Sequence, residues 1–177
     1  MLVHRRSGGL PVLRPVGVIR SPWKWREEAP RQPDADTEAE VVLHGEGMQN
    51  ALKDVAGFER IWLLCWFHHC RGWVQQVVPP RDRVKRGVFA TRAPDRPNPI
   101  GLSCVRVVGV QGRRIRIRGH DLLDGTPVLD IKPYIPAYDS HPASRAGWVD
   151  ALTDPGADHR LRPDPPSAQR RPTSPPG

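Results

Sequence analysis

From Arg114 to Arg118 the chain reads RIRIR, sending Ile115 and Ile117 to one side of a strand and the three arginines to the other. Around it the apolar positions come in short bursts between turn formers. PVGVIRSP (15–22) predicts a short strand closed by a turn, and AEVVLH (39–44) a second. GMQNALKDVAGF (47–58) predicts one short helix with Leu52 and Val55 on its apolar face. ERIWLLCWFHH (59–69) is a continuous apolar run that reads as a buried strand, and GWVQQVVPP as a shorter one. KRGVFATR enters and IGLSCVRVVGV leaves a proline-rich loop, QGR (111–113) is a turn, and VLDIKPY is the last strand. A helical or irregular piece is expected around 142–152. About seven short strands, one or two short helices and hairpin-scale connections predict a mainly β fold, a single antiparallel barrel.

The pattern also marks the ends. Residues 1–13 read as a loose leader and 14–152 as the barrel domain. From 153 to 177 prolines crowd a segment with almost no apolar positions, which predicts a disordered tail. Hydrophobic residues make up 38% of the chain, with six Trp, enough for a modest core. No apolar run approaches the roughly 20 residues that span a bilayer, and the first residues lack the pattern of a secretion signal. Three cysteines, an odd number, argue for a reducing, cytoplasmic setting over a disulfide framework.

Charge sharpens this picture because it is localised. The net charge is +8, yet the stretch from Arg81 to Arg118 holds eleven Arg/Lys against two Asp. A field of that sign attracts polyanions and steers their approach, and the strand 114–118 carries one cationic face.

Two segments carry candidate chemistry. ATRAPDRPNPIGLS (90–103) braces Arg92, Arg96 and Asn98 between prolines, and a rigidly presented guanidinium loses little entropy on gripping a carboxylate or phosphate. In DLLDGTPVLDIKPY (121–134), Asp124, Gly125 and Thr126 form a turn suited to holding a ribose, with Tyr134 adding a hydroxyl. Three other signals are weaker. Gly45 and Gly47 lack the third glycine of a dinucleotide loop, so a strand-to-helix turn suffices. Cys65 and Cys70, flanking His68 and His69, fit zinc spacing poorly, and no metal is expected. Cys104 lies mid-strand without a partner base.

Together VGVIRSP, APRQP, GVFATRAPDRPNPIGLS and DLLDGTPVLDIKPYIP resemble the TsaA-like (TrmO) family of β-barrel methyltransferases, over about residues 14–150. The resemblance implies S-adenosylmethionine as cofactor, transfer of its methyl to the exocyclic amine of threonylcarbamoyladenosine beside the tRNA anticodon, and a homodimer. It places Pro30, Arg31, Gln32, His68, His69, Arg92, Leu102, Leu123, Asp124, Gly125 and Thr126 against the cofactor. Arg96, Asn98, Lys132 and Tyr134 are expected on the substrate side, with Asp124 as the candidate catalytic group. The chain has His68–His69 where the family usually has His–Gln. Methyl transfer to a small molecule, or RNA binding without catalysis, would use many of the same residues.

Overall fold

The RIRIR alternation is realised as expected: Ile115 and Ile117 are wholly buried while Arg114 and Arg116 are exposed. The computed structural model describes residues 12–29 and 36–153. The chain divides into two compact units, one drawn from Met1–Trp73 and Pro94–Pro142, the other from Val74–Ala93 and Ala143–Gly177.

The first unit is a closed six-stranded barrel. Its strands are β1 (Gly17–Arg20), β2 (Glu38–Leu43), β3 (Arg60–Trp66), β6 (Ile100–Gln111), β7 (Arg114–Arg118) and β8 (Pro127–Pro133). They run in the order β1-β2-β7-β6-β3-β8, with β8 returning to β1 and all pairs antiparallel. Strict alternation fills the lumen with Ile19, Val41, Ile61, Leu63, Val105, Ile115 and Val128. Closure leaves no unpaired sheet edge. Two register shifts, after Leu64 in β3 and between Val107 and Gly109 in β6, bend the strands around the barrel. At Gly101 a Cβ would stand 2.3 Å from the Phe67 ring, so only glycine lets that ring lie on the strand.

The expected helix at 47–58 is instead two 3-10 turns, Met48–Leu52 and Val55–Gly57. Asp54 between them sits at φ 67, in the left-handed region, and each piece is too short to repay α-helix nucleation. One short α-helix, α1 (Pro136–Asp139), follows the last barrel strand.

The second unit is built on the two-residue strands β4 (Gln76–Val77) and β5 (Arg86–Gly87). KRGVFATR is thus mostly a 3-10 turn (Val88–Ala90), not a strand. Trp148, on a 3-10 turn at Gly147–Ala151, donates its indole N–H to Ala90 O at 2.8 Å, and the Arg86 guanidinium lies 5.3 Å over its ring. The expected irregular segment near 142–152 is this turn; the expected tail lies outside the described residues beyond Thr153.

Candidate functional site

The turn between β7 and β8 is sewn to the end of β1. The Asp124 N–H donates to Trp23 O at 2.7 Å and the Gly125 N–H to Ile19 O at 2.9 Å. Ser21 N–H donates to Asp124 Oδ1 at 3.1 Å, while Arg20 stands 3.7 Å from Oδ2. Asp124 is therefore fixed through one oxygen and keeps the other partly open. Gly125 has φ 75, in the left-handed region that a side chain would strain.

Against this turn comes the end of β3. His68 Nε2 lies 3.8 Å from where a Cβ on Gly125 would be, and the His68 and His69 rings are 4.2 Å apart. Burial, then the neighbouring His69, push the His68 pKa down, with Asp124 opposing. The loop that leaves β1 (described over 21–29) closes on the same group: Trp25 stands 6.4 Å from His69, and Glu28 Oε2 accepts the Lys24 and Trp25 N–H groups. Beneath lies fully buried His120, its ring 4.6 Å from Trp23. His120 Nδ1 accepts the Leu122 N–H at 3.2 Å, which leaves its proton on Nε2, and burial pushes its pKa down. Asp121 is raised by burial and accepts a 3.4 Å hydrogen bond from Ser103 Oγ.

The proline loop is anchored to that long loop. Arg26 donates to both oxygens of Asp95 at 3.1 and 3.3 Å, and Cys70 Sγ donates to Pro94 O at 3.3 Å. Burial first, then Asp95, raise the Cys70 thiol to about 11. Behind the prolines, Phe67 N–H donates to Pro99 O and Ile100 N–H to Asn98 O. Arg26, Ser21, Trp23 and His120 escaped the sequence reading. The tryptophans and charges of a long loop were the available signal, but their partners lie up to 103 residues away.

The remaining expected residues are placed unevenly. Leu102 is 52% exposed on the outer face of β6, opposite Leu64 of β3. Leu123 is half-buried and Thr126 buried. Arg96 is half-buried and Asn98 exposed within the proline loop. Lys132 and Tyr134 lie at the far end of β8, where Tyr134 packs edge-on to Trp62 and Lys132 pairs with Asp130 at 2.8 Å. The run of β8 from Pro127 onward carries both away from the Asp124 turn. Arg92 belongs to the second unit, exposed next to Thr91, whose Oγ1 donates to Val88 O and accepts the Ala93 N–H. Pro30, Arg31 and Gln32 lie outside the described residues. Among the described residues, no three His, Cys, Asp or Glu side chains are grouped to hold a metal, and no helix is long and apolar enough to cross a membrane.

The cationic strand face differs from expectation. Arg114 pairs with Glu40 at 2.6 Å, Arg118 with Glu38 and Asp36, and Arg106 with Glu59. The barrel face is largely self-neutralised because β2 sets acids beside the arginines of β7.

Comparison with known proteins shows the family. The family model described as the tRNA-methyltransferase O N-terminal domain matches residues 18–140. A probable S-adenosyl-L-methionine-binding protein of Pyrococcus abyssi is 46% identical over 139 residues, covering 77% of this chain and 75% of that protein. The tRNA (adenine(37)-N6)-methyltransferase of Escherichia coli is 40% identical over 145 residues, covering 76% and 62%. The crystal structure of TrmO from Pseudomonas aeruginosa superposes with a TM-score of 0.69 at 38% identity, covering 82% of this chain and 66% of that one. The chain thus spans under two thirds of the length of the last two proteins.

Proposed function

The chain belongs to the tRNA-methyltransferase O family, and from that premise we propose that it is an S-adenosylmethionine-dependent methyltransferase acting on the exocyclic amine of threonylcarbamoyladenosine in tRNA. The observation that supports this best is the convergence of His68, at the end of β3, with Asp124 and Gly125 of the β7–β8 turn.

The residues fit such a cofactor chemically. The second Asp124 oxygen, partly exposed beside Arg20, is an acceptor suited to ribose hydroxyls, the bare Gly125 backbone permits close approach, and exposed Leu102 offers an apolar wall for a purine. Arg92, Pro30, Arg31 and Gln32 are assigned to the cofactor on their motifs alone. When bound, S-adenosylmethionine would supply an electrophilic methyl group for in-line displacement by the amine, the new N–C bond replacing the C–S bond, with S-adenosylhomocysteine leaving and the amine proton passing to an acceptor or solvent. The protein's part is orientation, which supplies roughly 7–11 kcal/mol where the approach is well aligned. Asp124, held through Ser21, would accept a hydrogen bond from the ribose or from the attacking N–H, while Arg96, Asn98, Lys132 and Tyr134 are assigned to the substrate. A homodimer follows as part of the proposal: Ile100 and Leu102, 40% and 52% exposed, lie opposite Trp66 and Leu64 and form an apolar outer ridge that a second copy would cover.

Incubating total tRNA with the protein and cofactor, then digesting to nucleosides for mass spectrometry, tests the assignment. One methyl mass added to threonylcarbamoyladenosine is expected. Cofactor turnover that ignores tRNA, or no cofactor binding by calorimetry, would overturn it.

A further inference from the structure

The second unit carries its charge differently from the barrel. Over 74–93 and 143–153 it has six cations against two acids. Both acids are used internally: Asp150 accepts the Ala146 N–H at 2.9 Å, and Asp82 ties the turn together. Asp82 N–H donates to Pro79 O, its Oδ1 accepts the Arg83 and Val84 N–H groups, and its Oδ2 accepts Arg86 Nε and a terminal N–H at 2.9 and 2.6 Å. Arg86 in turn lies over Trp148, and Pro79 and Val88 are buried. The turn is therefore built, and its one carboxylate is spent on Arg86. Arg83 and Lys85 are exposed and Arg81 is half-buried; none has a carboxylate partner among the described residues. The same unit leaves Phe89 77% exposed.

Unneutralised cations on a stiff turn fit a polyanion, and a bare aromatic ring in the same unit favours a nucleic acid over an acidic peptide, because every base offers a face to stack on. Unpaired loop nucleotides present both features together. We propose that the 79–89 segment is an RNA-docking element in which Arg81, Arg83 and Lys85 contact phosphates and Phe89 stacks on an unpaired base. This rests on the tRNA reading above and names where the full chain would hold that RNA.

The test uses the full chain and an anticodon stem-loop RNA, with affinity measured by fluorescence anisotropy across a salt series. For single strands each phosphate contact contributes about 0.7 to the slope of log affinity against log salt. The triple variant Arg81→Gln, Arg83→Gln, Lys85→Gln should lower the slope by about 2, whereas Arg114→Gln on the barrel, whose guanidinium is already paired with Glu40, should leave it unchanged. Phe89→Ala should weaken binding about tenfold at every salt concentration, and Phe89→Trp should restore it. Calorimetry of the triple variant with cofactor serves as the folding check. An unchanged slope in a folded triple variant that still methylates tRNA overturns the docking element alone. Equal binding of polyglutamate and RNA overturns the choice of partner. A wild-type protein that neither binds nor methylates tRNA overturns the function beneath it.

Discussion

Strand β7 and the 81–86 turn look alike as text, RIRIR against RDRVKR, and behave as opposites. In β7 two of three arginines meet carboxylates from β2, one directly across the ladder and one diagonally. In the turn a single carboxylate serves four cations and is committed to one of them. Charge counted along a chain measures supply; the free charge depends on what the fold sets opposite. A sheet surface with a fixed register can pair its arginines, whereas a turn offers no facing strand to do so.

The largest effect that would break this contrast is on RNA affinity. Removing the three turn cations should cost about a hundredfold at 0.1 M salt, the power law with a slope change near 2, read by the anisotropy series. Next comes stability. Gly101→Ala drives a methyl into the Phe67 ring and should cost about 1–3 kcal/mol in urea unfolding. Gly87→Ala on the second unit, where a Cβ meets nothing within 4 Å, should stay within about 0.5 kcal/mol. Equal losses at both positions would erase the distinction between a packed barrel and an open turn. A smaller effect should run the other way: Glu38→Gln with Glu40→Gln unpairs Arg114 and Arg118, and should raise RNA affinity by up to about fivefold per freed cation at 0.1 M salt.

Acid titration separates the regions by onset. His120 is held neutral with its pKa pushed down, so the unfolded chain binds the proton first, and the stability it confers is lost as pH falls from about 6.5 through the lower folded value. Asp82 is pushed down by its hydrogen bond to Arg86, so its contribution persists above about 3.8 and is lost only below, through its folded value. Indole N–H resonances should report this order, Trp23 shifting first and Trp148 holding until strong acid. Simultaneous loss would overturn it.

Much of the barrel was legible because local rules agree with the fold there. Ile115 and Ile117 alternate with arginine, and the Asp124–Gly125 turn announces its positive φ. The helix expected at 47–58 failed because Asp54 adopts a left-handed conformation that no periodicity reveals. The candidate site was half legible: His68, Asp124 and Gly125, named from motif, are grouped by the fold, whereas the Trp23–His120 contact and the Arg26–Asp95 clamp join segments 97 and 69 residues apart, a separation that pattern cannot bridge.

Ring closure imposes a schedule on the nascent chain. Gly17 finds Leu43 early, but its other neighbour is Val128, so the first strand waits on the ribosome with one flank bare until nearly the whole cylinder has emerged. Translation pauses after β3 would prolong that exposure and invite a chaperone.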